Sequence, residues 1–209
     1  MELWFDGKSS LTHFGLDLQS CYITAPKRKK HLIDVLCADG AIDAMQGFEP
    51  TYENRTITAS FKILGSGYET RDRILNELEG RTVPIVLPDD IRYYMIGEPH
   101  VSASGFRPGD PLTITAVCLP WRYARNETVY EVEASETDVQ YRWRNAGKRY
   151  AVPEICVQDK NVILAIGGNE KTLVSGTYLL SELGIPGFST ISITARGGAF
   201  TARYREAIL

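Results

Sequence analysis

The sequence predicts a mainly β protein, with two β-sandwich domains and one α-helix, on three observations. Hydrophobic and polar residues alternate over many short segments, which is the period of a half-buried strand. Turns rich in Gly, Pro and Asn separate these segments at intervals of about 8–12 residues, as in antiparallel sandwiches. A single segment has helical spacing, which does not fit the repeated strand–helix units of a doubly wound fold.

The first half of the chain gives the clearest strand predictions. Within Arg55–Ile63 the apolar residues Ile57, Ala59, Phe61 and Ile63 alternate with polar ones, so this segment predicts a strand with one buried face. Residues 112–118 alternate in the same way. A tight turn at Pro88-Asp89-Asp90 separates strands predicted at 83–87 and 92–96. Further strands are predicted at residues 3–6, 16–23, 31–36 and 97–103.

The one helix is predicted at Glu69–Glu79. Apolar residues recur there at helical spacing, at Ile74, Leu75 and Leu78. Thr70 is the expected N-cap, and Gly80 lies just beyond the end as the expected C-cap.

The second half reads as a separate set of short strands. Pro120 is predicted to end a strand within Leu119–Tyr123, and a new strand begins near Val129, so a domain boundary is predicted at residues 120–130. Arg142-Trp143-Arg144 is interpreted as an exposed strand, open either to ring stacking or to a subunit contact. The remaining strands are predicted near residues 152–158, 162–166, 173–180, 189–195 and 200–205.

Composition excludes several classes of protein. A net charge of -3 gives no reason to expect a nucleic-acid or anionic-membrane partner. No apolar run approaches the roughly 20 residues that span a bilayer, and no secretory signal is evident, so no membrane insertion is expected. The four cysteines are Cys21, Cys37, Cys118 and Cys156. Their wide spacing predicts buried free thiols rather than a metal site or a redox pair.

The sequence contains no recognisable set of catalytic residues. The three histidines, His13, His31 and His100, are far apart along the chain, and no Gly-x-Ser-x-Gly motif is present. Asp89-Asp90 is read as turn residues, although paired carboxylates can also act in acid–base catalysis. No enzymatic activity, metal or cofactor is predicted.

Two charged or loop segments are candidates for subunit contacts. The basic run Lys27, Arg28, Lys29 and Lys30 is interpreted either as a solvated turn or as a contact with an acidic face of a neighbouring subunit. DNA binding is the weaker reading, because four cations on an acidic chain are a small footprint. Asp39, Gly40 and Asp43 lie in a predicted loop, at 37–47, that lacks the ligand spacing of a calcium loop. This loop is the candidate for reaching a neighbour.

The aromatic residues admit two interpretations. Exposed rings beside polar groups would suit a sugar-binding platform, whereas buried rings would fill a sandwich core. Trp4 and Tyr94 are assigned to the core.

Five motifs, in order along the chain, resemble the distal tail proteins of long, non-contractile-tailed bacteriophages. The first three are Gly-Lys-Ser-Ser-Leu-Thr-His-Phe-Gly-Leu from Gly7, Asp-Gly-Ala-Ile-Asp from Asp39 and Tyr-Glu-Asn-Arg-Thr-Ile from Tyr52. The fourth is Asn-Ala-Gly-Lys-Arg-Tyr-Ala-Val-Pro-Glu-Ile from Asn145, and the fifth is the closing run from Tyr204 to Leu209. The similarity therefore spans most of the chain.

The resemblance implies a specific architecture and role. It implies a ring-forming, tail-tube-like β-sandwich with one helix at residues 1–124 and a small galectin-like β-sandwich at 125–209. It further implies a structural virion protein of a phage or prophage, in the tail tip, assembled in the bacterial host cytoplasm. There it would form a homohexameric ring, the baseplate hub that joins the tail tube to the tail tip. The implied partners are the tail-tube protein, the tail-tip protein and receptor-binding proteins, with no sequence-specific nucleic acid.

Two other functions remain open from the sequence. A tail-tube subunit would have a related fold, but it would normally lack the second domain. A carbohydrate-binding host-adhesion module would use the C-terminal domain. Galectin-type sugar recognition relies on a His, Arg, Asn and Trp cluster, and no histidine follows His100 in this chain. The fold is therefore expected without the sugar chemistry.

Overall fold

A computed structural model of the 209-residue chain describes residues 1–34, 36, 39–44, 50–133, 135–158, 160–166 and 169–209. The chain divides into two compact units, Met1–Arg122 and Tyr123–Leu209. Within the described residues the structure is mainly β, with one α-helix, as predicted.

The first unit is built on one antiparallel sheet. Its strands are β1 (Trp4–Phe5), β2 (Lys8–Ser9), β3 (Leu16–Ile23), β4 (Leu32–Asp34), β5 (Ala41–Asp43), β6 (Arg55–Ile63), β7 (Val83–Val86), β8 (Tyr93–Ala103) and β9 (Pro111–Ala124), which ends two residues into the second unit. Seven of them form a sheet in the order β2-β1-β7-β8-β9-β6-β3, while β4 and β5 pair only with each other.

Alternation places one face of this sheet in a hydrophobic core. On β6 the apolar residues identified from the sequence are buried, and on β9 Leu112, Ile114, Ala116 and Cys118 are buried opposite them. The register pairs Phe61 with Leu112 and Ala59 with Ile114, so the two apolar rows are adjacent. Burying this surface is the main stabilising contribution to the unit.

The helix, α1, spans Gly67–Glu77 and begins two residues earlier than predicted. Ser66 is its N-cap, while Thr70 is buried within the first turn rather than capping it. Leu78 is the C-cap, and Gly80 follows with a φ of +68°, a left-handed conformation that glycine adopts without strain. Ile74 and Leu78 enter the core, which fixes the helix against the sheet.

The second unit is a sandwich of two four-stranded antiparallel sheets around a separate core. Its strands are β10 (Thr128–Glu133), β11 (Val139–Asn145), β12 (Glu154–Val157), β13 (Val162–Ile166), β14 (Asn169–Leu173), β15 (Gly176–Leu179), β16 (Ser189–Gly197), β17 (Ala199–Tyr204) and β18 (Ala207–Ile208), with a 3-10 turn at Ser181–Leu183. The sheet orders are β10-β17-β12-β15 and β11-β16-β13-β14.

Trp143 corrects one interpretation of the sequence. It lies on β11 and is fully buried, so Arg142-Trp143-Arg144 is not an exposed strand available for ring stacking. The indole stacks with Tyr130, at 5.7 Å between ring centroids. Arg142 and Arg144 point to the other side of the strand and are exposed.

Tyrosine hydroxyls close part of the free edge of β11. The Arg144 N–H donates to the Tyr130 hydroxyl at 3.0 Å, and the Tyr204 hydroxyl donates to the Arg144 carbonyl. Tyr130 and Tyr204 belong to the opposite sheet, where β10 pairs with β17. The two backbone groups that a neighbouring strand would otherwise satisfy are thus satisfied by side chains.

Several strand boundaries differ from the predictions; for example, the strands predicted at 92–96 and 97–103 form the single strand β8. Pro120 does not end its strand, since β9 continues to Ala124. The ladder with β6 ends at the Arg55–Cys118 pair, so the missing N–H of Pro120 removes no bond from it. Residues 173–180 form two strands rather than one: β14 ends at Leu173 and β15 begins at Gly176, which has a φ of +148°.

The predictions for cysteine and aromatic burial hold only in part. Cys118 is buried, Cys21 is half-buried, Cys156 is exposed, and all three are free thiols, while Cys37 lies outside the described residues. Trp4 and Tyr94 are only half-buried. No helix within the described residues is long and apolar enough to cross a membrane.

Candidate subunit-contact surface

The basic run Lys27–Lys30 lies in an extended segment, not in a turn. The Lys27 carbonyl accepts the Glu53 N–H at 2.8 Å, and the Lys29 N–H donates to the Thr51 carbonyl at 2.9 Å. Arg28 and Tyr52 form an isolated antiparallel bridge between these two bonds. The backbone is therefore held in place while the side chains remain available.

All four basic side chains are exposed, and none lies within 4 Å of a carboxylate among the described residues. No carboxylate of the described residues offsets their mutual repulsion at close range. An acidic surface on another molecule would relieve it.

The segment leads directly into the β4–β5 hairpin. The register pairs Leu32 with Asp43, Ile33 with Ile42 and Asp34 with Ala41. At the base, the His31 N–H donates to Asp43 Oδ1 at 3.2 Å, and the Ala44 N–H donates to the His31 carbonyl at 2.8 Å. A two-stranded hairpin alone is only marginally stable in water, so this one has little support of its own.

The hairpin exposes large apolar side chains. The exposed fractions are 59% for Leu32, 46% for Ile33, 94% for Leu36 and 52% for Ile42. Clustered exposed aliphatic residues on one short element are typical of a surface that another molecule covers. These four residues, together with Lys27–Lys30, are called the hairpin surface below.

The three other predicted contact residues occupy different parts of the hairpin. Asp39 and Gly40 are exposed near its tip, where Gly40 has a φ of +77° and open space around its Cα. Asp43 is half-buried at the base, on β5, and not in a loop as predicted. Much of the predicted 37–47 loop, namely residues 37, 38 and 45–47, lies outside the described residues.

The sequence interpretation named the charges of this region and missed its apolar residues. Leu32 and Ile33 are consecutive, so they lie on opposite faces of β4. β4 pairs only with β5, so this two-stranded hairpin has large apolar residues on both faces and leaves them exposed within its own subunit. The sequence shows the two consecutive apolar residues, but not that the hairpin pairs with no further strand.

No candidate metal site assembles among the described residues. No group of three or more His, Cys, Asp or Glu residues has metal-binding geometry in that part of the chain. His13 Nε2 lies 2.9 Å from a Glu77 oxygen and His100 Nδ1 lies 3.3 Å from a Glu79 oxygen, so these two histidines contact different carboxylates. A hydrogen bond from Lys8, and then one from His13, lowers the pKa of Glu77.

Comparison with known proteins gives a match at the level of fold. No protein-family model and no curated protein sequence matches the chain. Among solved structures, SPP1 Dit superimposes with a TM-score of 0.68 over 100% of this chain and 99% of that chain, at 13% identity. The chain has the fold of SPP1 Dit.

SPP1 Dit is described as a paradigm of the hub adsorption apparatus in phages that infect Gram-positive bacteria. The resemblance to distal tail proteins, first based on the five motifs, is thereby confirmed for the fold. An identity of 13% supports a shared fold but assigns no functional role to individual residues of this chain.

Proposed function

We propose that this protein is a structural tail hub protein of a phage or prophage, which joins the tail tube to the tail tip as a ring of six. The fold match carries the proposal, because it covers both chains almost completely and so includes both units. The hairpin surface adds a second argument, since an exposed apolar and basic element suits a protein that functions within an assembly.

A closed ring requires a heterologous interface, in which one face of each subunit contacts a different face of the next. The hairpin surface supplies one such face. Its cations require an acidic counterpart, and the Met1–Arg122 unit has more carboxylates than basic side chains. We therefore assign ring formation to residues 1–124.

The remaining parts of the proposal follow from this assignment. The galectin-like domain at residues 125–209 is left to bind further tail components. The partners are the tail-tube protein, the tail-tip protein and receptor-binding proteins, and the location is the tail tip of the virion. No catalytic role is proposed.

The experiment is a mass measurement of the purified protein over a concentration series, by native mass spectrometry and light scattering. We expect a species of six subunits at high concentration. A variant with all four residues of Lys27–Lys30 changed to Glu should assemble more weakly, and the difference should shrink with salt, because the Debye length is already about 8 Å at 0.15 M.

A matched control carries the same change of net charge elsewhere. The side-chain charges of Lys62, Arg81, Arg107 and Lys160 are exposed and have no carboxylate within 4 Å among the described residues, and changing these residues to Glu should have a smaller effect. Circular dichroism checks that both variants are folded. A wild-type protein that stays monomeric at every concentration, or a charge-reversed variant that assembles like wild type at low salt, would contradict the proposal.

A further inference from the structure

A second basic cluster lies in the Tyr123–Leu209 unit, at residues 142–149. Arg142, Arg144, Lys148 and Arg149 occupy this eight-residue segment, which has no carboxylate. All four are exposed. The cluster belongs to a different unit from the hairpin surface and to no function assigned above.

Strand geometry directs the two arginines of β11 to the outer side of its sheet. Trp143 and Asn145 are fully buried, so Arg142 and Arg144 alternate to the opposite face. Their partners on β16 are Ser192 and Thr190, short polar residues that leave the guanidinium groups uncovered. Neither guanidinium has a carboxylate within 4 Å among the described residues.

Phe188 lies at the end of the same strand pair. It directly precedes Ser189, the partner of Asn145, and its side chain is 70% exposed. Its φ is +53°, a left-handed conformation that is an outlier for a bulky residue. Strained backbone of this kind concentrates at ligand-binding and functional sites, because the surrounding structure must hold it there.

Buried hydrogen bonds fix this conformation. The Phe188 N–H donates to the Gly147 carbonyl at 2.8 Å. Asn145 Nδ2 donates to the carbonyls of Arg149, at 2.8 Å, and Ile185, at 3.1 Å, while its Oδ1 accepts the Gly147 N–H at 2.9 Å. The fully buried Asn145 amide, at the end of β11, thus holds the loop with Lys148 and Arg149 next to the loop with Phe188.

Glu206 and Arg149, two other charged residues near this surface, have partners of their own. Glu206 Oε1 accepts the Ala146 N–H at 3.1 Å, and the Arg149 guanidinium donates to the Tyr123 hydroxyl at 2.8 Å. Arg142 and Arg144 are therefore the cations that a ligand can approach most directly. Arg142, Arg144, Lys148 and Phe188 are called the arginine face below.

We propose that the arginine face binds an acidic polypeptide segment of another protein. Its carboxylates pair with Arg142 and Arg144, and an apolar side chain packs on Phe188. Guanidinium groups bind carboxylates with paired, charge-assisted hydrogen bonds, and a rigid exposed aromatic residue is a typical anchor at interfaces. The exposed phenyl ring favours a polypeptide over a purely anionic polymer, because only the polypeptide has apolar side chains that can pack on the ring.

This inference extends the proposed hub function, since it names the chemistry of a partner. It is separable from the ring, because the two surfaces lie in different units. Changes in the arginine face should leave the oligomer mass unaltered, whereas failure of the ring would appear in the mass alone.

The test uses the full-length protein and fluorescence anisotropy at about 0.1 M salt, where the Debye length is about 10 Å. The probe is a labelled, end-blocked peptide, Ser-Glu-Glu-Leu-Leu-Glu-Glu-Ser, and a second peptide carries Gln at every Glu position. Inorganic polyphosphate serves as a competitor without apolar groups.

We expect the acidic peptide to bind and the Gln peptide to bind at least about tenfold more weakly. The double variant R142Q/R144Q should raise the Kd about tenfold, and F188N should raise it several-fold. Asn tolerates the left-handed conformation, so F188N removes the ring without disturbing the loop. The control R81Q/K160Q removes two exposed charges and should leave the Kd unchanged.

Circular dichroism and oligomer mass confirm that each variant is folded and assembled. The proposal is overturned if the acidic peptide does not bind, or if R142Q/R144Q binds it like the control. It is also overturned if polyphosphate binds through the arginines while F188N has no effect, since the ligand would then be an anionic polymer.

Discussion

The apolar part of the hairpin surface gives the sharpest test of assembly. Ile33 and Ile42 are paired across the hairpin, so their side chains share one face. We consider the double variant I33T/I42T, which removes apolar surface but keeps the β-branched shape that strands favour. Because both residues are already about half exposed, the fold of the subunit loses little.

The expected size follows from the exposed fractions. Full burial of an isoleucine contributes about 1.5–3 kcal/mol, and about half of each side chain is still exposed in the subunit. Covering that remainder contributes about 1 kcal/mol per residue, or about 2 kcal/mol for the pair at each interface. Losing it should weaken each contact about 30-fold.

The assay is a concentration series of light scattering and native mass spectrometry, with thermal unfolding as the folding control. The matched control is V129T/L179T, which changes two exposed apolar strand residues of the other unit. We expect the I33T/I42T ring to dissociate at concentrations where the control ring persists. If both variants assemble like wild type, the hairpin is not a subunit contact and the reasoning fails.

Three further predictions concern the folded subunit. Asn145→Ala should lower the free energy of unfolding by about 3–5 kcal/mol, measured in urea, because the Arg149 carbonyl and the Gly147 N–H lose their side-chain partner and the Ile185 carbonyl keeps only the Ala151 N–H. Burial raises the pKa of the Cys118 thiol to about 12, so iodoacetamide at pH 8 should modify the exposed Cys156 and spare Cys118 in a peptide map. The hydrogen bond from Lys8 lowers the pKa of Glu77, so its ionised form stabilises the fold at neutral pH. E77Q should therefore melt earlier than wild type at pH 7, and the difference should shrink as the pH falls below the ordinary glutamate value of 4.5 and through the lowered pKa.

The sequence predicted best where alternation was strict. The strand at Arg55–Ile63 has the predicted bounds, because four apolar residues at period two define both a strand and its buried face. The single helix was also found, but its start was displaced by two residues. Thr70 looked like an N-cap, whereas the structure buries it and uses Ser66.

The errors have one physical origin, which is that long-range pairing is invisible in a local pattern. Pro120 reads as the end of a strand, yet it lies beyond the last pair with β6 and costs that ladder nothing. Arg142-Trp143-Arg144 was interpreted as an exposed strand, yet the side chain of Trp143 points to the opposite face from the two arginines and is buried inside the sandwich. Only the opposite sheet, with Tyr130 and Phe200 against the indole, shows why.

Lys27–Lys30 were predicted as contact residues from their charge, and Asp39, Gly40 and Asp43 from their position in a predicted loop. Lys27–Lys30 are exposed as a contact would require, but the exposed Leu32, Ile33, Leu36 and Ile42 could not be inferred before the hairpin was known to be unsupported by other strands. Arg142 and Arg144 were named from the sequence as a possible subunit contact, but Phe188 beside them was not. The residues of the arginine face are brought together by the β11–β16 pairing and by Asn145.

The tyrosine hydroxyls on the edge of β11 have a consequence for crowding. In a ring, several copies of the same sandwich are held at high local concentration, which is the condition under which open strand edges join one sheet to another. Because Tyr130 and Tyr204 occupy the N–H and carbonyl of Arg144, β11 offers fewer open backbone groups to a strand of an adjacent copy. Replacing both tyrosines by phenylalanine would keep the aromatic packing but leave the N–H and carbonyl of Arg144 unpaired. The assembled copies would then be prone to aggregate by pairing of their exposed edge strands.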